Sequence, residues 1–251
     1  MRVPRVYLDQ PLQTGAELAL DKAAAHYLVS VLRLRANDAL LVFNGSGGEY
    51  TAVLQAATNK QATITIGDHS TGVAPSPIRV VLAIGLSRGE RMDWVVQKAV
   101  ELGVNDVIPL FTERCEVKLK GERALKKLGH WQQIAISACE QSQRNDVPLI
   151  KPMLALSDFL ASMAPPLDSE LALLLDPTAE QSLSRTLLKA STPVNSIVLL
   201  SGPEGGFSAA EVALAQQKGL LSVGLGPRVL RTETAPLAAL SIVQALLGDL
   251  G

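Results

Sequence analysis

The chain has 251 residues, 23 basic and 24 acidic side chains and a net charge of −1, and 47% of its residues are hydrophobic. This composition excludes a disordered or fibrous chain, and the net charge excludes nucleic-acid binding by overall charge alone. Its two cysteines form neither a disulfide framework nor a zinc-binding spacing, and no apolar run reaches the roughly 18 residues of a membrane helix. Because residues 1–10 also lack the apolar run of a signal peptide, we expect a cytoplasmic protein with no metal and no membrane association.

The first 73 residues predict a small β-rich domain with barrel-like strand spacing. One helix is predicted at 22–33, and residues 67–77 are rich in turn-forming residues without periodicity, as in a linker. The predicted domains are therefore 1–73 and 74–251. The strand-like segments of the first domain are 5–8, 38–43, 49–54 and 62–66.

Beyond the linker, apolar strand-like runs alternate with helical patterns. A predicted helix at 91–102, for example, places Met92, Val95 and Val96 on one face. Uninterrupted apolar strands separated by helices predict an α/β fold with a parallel sheet covered on both faces. The strand-like runs are 80–86, 107–111, 171–175, 197–201 and 221–225.

A glycine-rich loop, Ser201-Gly-Pro-Glu-Gly-Gly-Phe207, follows one of these strands. Ser208 and Glu211 have the spacing of a capping box and predict a helix start immediately after it. Glycines allow the backbone to approach a ligand, and the amides of a helix start bind acceptor groups. The loop lacks the signatures of both a nucleotide P-loop and a dinucleotide fingerprint. Taken alone, it is as compatible with a tight turn as with a ligand site.

Two further loops also follow predicted strands. Residues 224–235 hold two arginines, two threonines and a glutamate between apolar elements, which favours a functional role. Thr234 is a suitable N-cap for the next helix, and Pro236 is tolerated in its first turn. Asp176 ends another strand, where it could accept a hydrogen bond from a ribose hydroxyl or begin a turn before Pro177, and the turn is the favoured interpretation.

Positive charge is concentrated in the middle of the chain. Residues 79–151 carry 12 basic and 9 acidic side chains, against 6 and 6 in residues 1–73 and 5 and 9 in residues 152–251. Such a local patch can attract an anionic partner, although a solvated helix start is the simpler interpretation. The densest run comprises Arg114, Lys118, Lys120, Arg123, Lys126 and Lys127.

In this order the three loops resemble the cofactor site of the SPOUT superfamily of methyltransferases, and the chain is most similar to the bacterial 16S ribosomal RNA uridine-N3 methyltransferase family. One difference is Ser87-Arg-Gly89, where relatives often have Lys-Gly. The segments that carry the resemblance are Gly202-Pro-Glu-Gly-Gly-Phe207, Leu225-Gly-Pro-Arg-Val-Leu-Arg-Thr-Glu-Thr-Ala235, Gln97-Lys98, Glu101-Leu-Gly-Val104, Cys139-Glu-Gln141, Arg144, Pro148, His26-Tyr-Leu28, Val31-Leu-Arg33 and Phe43-Asn-Gly-Ser-Gly-Gly-Glu49.

This resemblance implies a PUA-like RNA-binding barrel in residues 1–73 and a SPOUT domain with a deep trefoil knot in residues 74–251. It also implies S-adenosylmethionine as cofactor, a homodimer, and 16S ribosomal RNA as substrate, within the small ribosomal subunit. The knot does not follow from the residue pattern, because threaded connections are rare. The almost wholly apolar helix at 234–247 is compatible with burial on several sides, as in a dimer.

The resemblance also gives a set of expected contacts. The cofactor-binding residues would be Leu175, Asp176, Leu200, Gly202, Pro203, Gly206, Leu225, Leu230, Thr232 and Thr234. The RNA-binding residues would be Arg5, Arg33, Arg88, Arg91, Arg114, Lys118 and Arg144.

Methylation of a ring nitrogen requires an in-line approach and removal of the N3 proton of uracil. The catalytic candidates are Arg231, Glu233 and Glu204. Either glutamate could take the proton, or Glu233 could only pair with Arg231. Arg231 could instead stabilise the developing imide anion. Two other functions compete with this one: a non-catalytic RNA-binding ribosome-assembly factor that retains the fold, and a nucleotide-binding transferase.

Overall fold

The computed structural model describes residues 3–58, 61–190 and 192–251. The chain forms two compact units, one of Met1–Pro75 with Cys139–Val147 and one of Ser76–Ala138 with Pro148–Gly251. Residues 139–147, which the sequence analysis placed in the second domain, therefore belong to the first unit. Within the described ranges, no helix is both long and apolar enough to cross a membrane.

The first unit is built on a five-stranded sheet of order β1-β3-β4-β5-β2. The first two strands in the chain pair at opposite edges: β1 runs parallel to β3, and β2 runs antiparallel to β5. A short helix, α1 (Lys22–His26), begins at the N-cap Asp21 and continues as one π-helical turn, Tyr27–Val31. The strands are β1 (Arg5–Tyr7), β2 (Glu17–Leu20), β3 (Ala39–Phe43), β4 (Glu49–Ala57) and β5 (Ala62–Ser70).

The predicted β-rich character of this unit is confirmed, with three differences. Strand β2 was not predicted, because four residues are too few to establish a periodicity. Strand β5 extends into the predicted linker, because His69 and Ser70 pair with Tyr50 and Glu49 on β4 and this pairing outweighs their turn preference. The predicted helix at 22–33 is interrupted, since it changes to π-helical geometry at Tyr27.

Arg5 is a structural residue of the first unit rather than a surface cation. Its side chain is only 3% exposed, and its Nε lies 3.0 Å from Oε2 of Glu49. Its two terminal nitrogens donate to the carbonyl of Cys139 (2.8 Å) and to Oδ1 of Asn145, and its guanidinium lies 4.6 Å from the centroid of the Phe43 ring. This placement corrects the expectation that Arg5 binds RNA, because the guanidinium is buried and its donors are already used.

The second unit contains a seven-stranded sheet of order β12-β10-β11-β6-β7-β8, with β9 also paired to β7. Every pair in this sheet is parallel, which confirms the predicted parallel sheet. Its strands are β6 (Arg79–Gly85), β7 (Asp106–Phe111), β8 (Leu149–Ile150), β9 (Leu154–Ala155), β10 (Glu170–Leu175), β11 (Ser196–Ser201) and β12 (Leu221–Val223). The two-residue strands β8 and β9 were not predicted.

Helices connect these strands. In α2 the predicted apolar face is buried, as Met92, Val95, Val96, Ala99 and Val100 show. In α6 the predicted capping box of Ser208 and Glu211 is present. The helices are α2 (Arg91–Glu101), α3 (Gly121–Ser142), α4 (Leu156–Ser162), α5 (Leu183–Leu188), α6 (Ala209–Gln217) and α7 (Thr234–Leu247).

The start of α7 differs from the sequence prediction by one residue. Glu233 is the N-cap, without a side-chain cap hydrogen bond, and Thr234 is the first helical residue. The reason is that the amides of Thr234 and Ala235 both donate to the carbonyl of Arg231, so the chain is already turning before Thr234.

Because the strands are parallel, the loops that follow β6, β10, β11 and β12 leave the sheet at the same edge. We name four of them: the β6–α2 loop (86–90), the β10–α5 loop (176–182), the glycine-rich loop (202–208) and the β12–α7 loop (224–233).

We expect replacement of Arg5 by leucine to destabilise the first unit by about 3 kcal/mol, because removal of one partner of a buried ion pair leaves Glu49 without its counter-ion. The measurement is urea denaturation followed by far-ultraviolet circular dichroism. Arg35→Leu is the matched control: Arg35 is an exposed arginine of the same unit, and a surface change of this kind alters stability by less than about 0.5 kcal/mol. Equal stability of Arg5→Leu and wild type would make Arg5 a candidate RNA contact again.

Candidate active site

A cleft of about 1030 Å³ lies in the second unit at the carboxyl ends of β10 and β11. The β10–α5, glycine-rich and β12–α7 loops all line it, so the three loops singled out in the sequence meet at one place. One face of α6 completes the wall, through Ala209, Val212, Ala213 and Gln216. Sequence analysis missed this face, although a spacing of three, four and seven residues on a predicted helix is a recognisable signal.

Close packing fixes the path of the glycine-rich loop. The amide of Gly206 donates to the carbonyl of Pro203 (2.9 Å), and Gly206 has a φ of +66°, which favours glycine. A Cβ at Gly85, the last residue of β6, would lie 2.6 Å from the backbone nitrogen of Pro203. Gly85 therefore allows the loop to pass directly over the strand end, and sequence analysis did not identify it.

A hydrogen-bond chain joins three of the loops. The hydroxyl of Thr232 donates to the carbonyl of Gly202 (2.8 Å), and Oγ of Ser87 lies 3.3 Å from Oγ1 of Thr232. Because the single hydroxyl proton of Thr232 is given to Gly202, Ser87 is the donor in the second bond. Ser87 is buried in the β6–α2 loop, and in the sequence it stood out only as part of Ser87-Arg-Gly89, where relatives often have Lys-Gly.

Glu204 is surrounded by hydrogen-bond donors. Its Oε1 accepts from the backbone amide of Arg88 (3.0 Å) and from Nη1 of Arg91 (2.6 Å). Burial raises the pKa of this carboxyl, but hydrogen bonds from its own amide, from the amide of Arg88 and from Arg91 outweigh burial, so the pKa lies below its ordinary value. Glu204 is thus held in its charged form.

Glu233 has different surroundings. Its Oε2 lies 3.7 Å from Nε of Arg91, which is an ion pair but too long for a hydrogen bond. That oxygen is buried and has no hydrogen-bond partner in the described part of the chain. The sequence analysis considered pairing of Glu233 with Arg231, but the structure pairs it with Arg91.

Arg231 is exposed and lines the cleft. Within residues 3–58, 61–190 and 192–251, its guanidinium has no hydrogen-bond or ion-pair partner, and only its carbonyl is engaged, by the start of α7. A permanently charged group in the cleft is therefore available to a ligand.

Asp176 forms the turn that the sequence favoured. Its Oδ1 accepts from the amide of Thr178 (2.8 Å) and from the hydroxyl of Thr178 (2.7 Å). The same residue also lines the cleft, so a turn and a ligand contact are compatible at this position.

Most of the expected cofactor-binding residues line the cleft, and three do not. Leu200 on β11 is fully buried in the core, Leu225 lies outside the cleft wall, and Thr234 is an exposed residue at the start of α7. The residues that do line it are Leu175, Asp176, Gly202, Pro203, Gly206, Leu230 and Thr232.

The expected RNA-binding arginines and lysine fall into three groups. Arg91 and Arg114 line the cleft, and Arg114 donates to the carbonyl of Gly205 (3.1 Å). Arg5 and Arg144 are engaged inside the first unit, where Arg144 is 12% exposed and pairs with Asp146. The exposed candidates away from the cleft wall are Arg33, Arg88 and Lys118, of which Arg88 pairs with Glu116 at 2.8 Å.

Among the described residues, no group of three histidine, cysteine, aspartate or glutamate side chains could hold a metal ion. Cys139 is buried, and burial raises the pKa of its thiol to about 12, so it remains a thiol at neutral pH.

The chain is similar to known proteins over most of its length. Residues 74–244 match the RNA methyltransferase domain family, and residues 20–67 match the RNA methyltransferase PUA domain family. The solved ribosomal RNA small subunit methyltransferase E of Neisseria gonorrhoeae, bound to S-adenosylmethionine, has a TM-score of 0.90 and 37% identity, with 100% of both chains covered.

Two relatives carry the same name, ribosomal RNA small subunit methyltransferase E. The protein of Buchnera aphidicola from Schizaphis graminum is 35% identical over 249 residues, which cover 99% of this chain and 98% of the relative. The protein of Bacillus subtilis is 31% identical over 236 residues, which cover 93% and 92%.

The fold and the cleft therefore define an RNA methyltransferase domain that is accompanied by an RNA methyltransferase PUA domain. The chain belongs to the ribosomal RNA small subunit methyltransferase E family, and the resemblance drawn from its sequence motifs is confirmed.

Proposed function

We propose that this chain transfers the methyl group of S-adenosylmethionine to N3 of a uridine in 16S ribosomal RNA. The observation that carries the proposal is the cleft in which Thr232 ties the β12–α7 loop to the glycine-rich loop. Family membership supports it, since the relatives are named as small subunit ribosomal RNA methyltransferases and the N. gonorrhoeae protein binds S-adenosylmethionine.

The residues of the cleft fit S-adenosylmethionine. Apolar side chains from three different elements, Leu175, Phe207 and Leu230, line the same cleft as the backbone of Gly202–Gly206. An apolar wall with a few fixed polar groups is the usual lining of a cofactor site. When bound, this cofactor supplies an electrophilic methyl group on a positively charged sulfur.

We assign removal of the N3 proton to Glu233 rather than to Glu204. Oε1 of Glu204 already accepts two hydrogen bonds, and its lowered pKa makes it a weak base. Oε2 of Glu233 is buried, has no hydrogen-bond partner among the described residues, and belongs to a residue that lines the cleft. An unsatisfied buried oxygen costs stability, so its presence beside a ligand site favours a role in the reaction.

We assign stabilisation of the uracil anion to Arg231. Deprotonation at N3 spreads negative charge over N3 and the two adjacent carbonyl oxygens, and a fixed cation beside that charge lowers the barrier. The guanidinium of Arg231 is exposed in the cleft and is not used by a described protein group, so it can meet such a base.

The partners and the finer fold follow from the resemblance. We propose that the second unit is a SPOUT domain with a deep trefoil knot, and that the protein acts as a cytoplasmic homodimer on RNA within the small ribosomal subunit. We place the contact between the two subunits at α7 and the leucines near its end, Leu246 at 40% exposure and Leu250 at 53%. The exposed or cleft-lining candidates Arg33, Arg88, Arg114 and Lys118 are the proposed phosphate contacts.

The product of the reaction tests the function. Incubation of the protein with isotopically labelled S-adenosylmethionine and small ribosomal subunits from a strain lacking the gene should give labelled N3-methyluridine in 16S ribosomal RNA. Nucleoside mass spectrometry identifies the product. Label on a carbon or on a ribose oxygen would contradict N3 as the target, and binding of RNA without any label would favour a non-catalytic assembly factor.

The fit of the cofactor is tested at Gly202. A Cβ at this position would lie 3.2 Å from the ring of Phe207, so Gly202→Val should displace the glycine-rich loop and weaken S-adenosylhomocysteine binding by at least tenfold in calorimetry. Gly129→Val is the matched control, because Gly129 lies on α3 with nothing within 4 Å of its Cβ position. Unchanged binding by Gly202→Val would place the cofactor elsewhere.

The role of Arg231 is tested by kinetics. Arg231→Lys should reduce the single-turnover rate by roughly 10- to 1000-fold while S-adenosylhomocysteine affinity barely changes, because lysine keeps the charge but not the planar donor geometry. A loss that saturating RNA restores would instead make Arg231 an RNA anchor. Wild-type single-turnover rates in Arg231→Lys would remove it from the chemistry.

A further inference from the structure

One side chain contacts two of the carboxylates that line the cleft, Glu204 and Glu233. Arg91 is the first residue of α2, and it places Nη1 2.6 Å from Oε1 of Glu204 and Nε 3.7 Å from Oε2 of Glu233. The two glutamates belong to different loops, the glycine-rich loop and the β12–α7 loop. The family resemblance implied that Arg91 contacts RNA, whereas in the structure its guanidinium contacts the two glutamates.

The two contacts are unequal, and the difference indicates which partner fixes the arginine. Glu204 is held by the backbone amide of Arg88, in the β6–α2 loop, as well as by the guanidinium of Arg91, the first residue of α2. A charge-assisted hydrogen bond of this length is strong and directional. Glu204 therefore anchors the guanidinium, and the looser contact with Glu233 is the one that can respond to a ligand.

Glu233 depends on this contact more than Glu204 does. In the described part of the chain, Oε2 of Glu233 has no hydrogen bond, and its ion pair is with Arg91. A buried carboxylate oxygen without a donor is costly unless a positive charge lies close to it. Loss of Arg91 would leave this oxygen without compensation, and the side chain would be free to turn away.

We propose that Arg91 is a positioning residue: anchored by Glu204, it holds the carboxylate of Glu233 in the cleft at the place where the uracil proton is removed. The inference rests on the proposed function, because it names how the proton acceptor of that reaction is held. Arginine suits the task, since the nitrogens of its planar guanidinium are fixed relative to one another, whereas the ammonium of lysine is a point charge on a flexible stem.

The experiment is a double-mutant cycle in single-turnover methylation at saturating S-adenosylmethionine and RNA. Arg91→Gln should reduce the rate by roughly tenfold or more, as expected for a positioning group, while RNA KM and S-adenosylhomocysteine affinity stay near wild type. In a Glu233→Gln background, Arg91→Gln should cause no further loss, because a residue that acts through Glu233 has nothing left to position. Arg91→Lys should recover part of the rate.

The matched control is Arg185→Gln, an exposed arginine on α5 that does not line the cleft. It makes the same charge change in the same unit and should leave the rate unchanged. Circular dichroism and S-adenosylhomocysteine binding establish that each variant is folded.

Three results would overturn the inference. A raised RNA KM, a wild-type rate at saturating RNA and a fall of roughly 0.7–0.9 in the salt slope of RNA binding would make Arg91 a phosphate contact. Weakened S-adenosylhomocysteine binding by Arg91→Gln would show that Arg91 only maintains the shape of the cleft loops. If the rate losses of Arg91→Gln and Glu233→Gln multiply in the double variant, Arg91 acts independently of Glu233. If wild type itself gives no N3-methyluridine, the proposed function fails, and that outcome is distinct from all three.

Discussion

The hydroxyl of Thr232 and the carbonyl of Gly202 form the contact on which the cleft depends, at 2.8 Å. Each belongs to a loop, and a loop alone holds its backbone groups loosely. Parallel pairing of β10 with β11 and β12 brings the ends of these strands side by side, and the hydrogen bond then joins the loop after β11 to the loop after β12. Ser87 connects a third loop, the β6–α2 loop, by a hydrogen bond to the hydroxyl of Thr232. The regular pairing of these strands thus positions the two irregular loops so that they can be joined by a hydrogen bond.

The electrostatics of the cleft are uneven, because Arg88 and Arg91 donate hydrogen bonds to Glu204, whereas Oε2 of Glu233 receives none from the described residues. The backbone amide of Arg88, in the β6–α2 loop, and Nη1 of Arg91 both donate to Oε1 of Glu204. Among the described residues, Oε2 of Glu233 receives no hydrogen bond and has the 3.7 Å ion pair with Arg91 instead. One carboxylate is satisfied and fixed, while the other is close to a cation and has a buried oxygen short of a donor. The environment, rather than the residue type, thus distinguishes the two glutamates of the cleft.

The sequence predicted those parts of the molecule that local pattern determines. Uninterrupted apolar runs predicted the parallel sheet, and the Ser208 and Glu211 spacing predicted the start of α6. Because carboxyl ends of parallel strands share an edge, the meeting of the three loops was also predictable. Strands β8 and β9 were missed because two residues carry no periodicity.

Residues whose role depends on distant partners could not be predicted. Arg5 has the chemistry of a surface cation, and only Glu49 and Asn145, far along the chain, reveal that it is a core residue. In the same way, Arg91 follows the pattern of a phosphate contact at a helix start, and only its two glutamates reveal its engagement. Charge predicts that a side chain needs a partner, but the tertiary fold decides whether that partner is RNA, water or the protein itself.

The space at Gly85 has a consequence for how this family can vary. Gly85 does not line the cleft, yet a Cβ there would overlap the backbone of Pro203. Gly85 ends β6, and Pro203 lies in the loop that follows β11. Because Pro203 occupies the space that a Cβ of residue 85 would need, a side chain at position 85 requires a different path of the loop at 203. We therefore expect these two positions to change together among homologous chains, if they change at all. A residue outside the cleft wall, such as Gly85, can in this way restrict the path of a loop that lines the cleft.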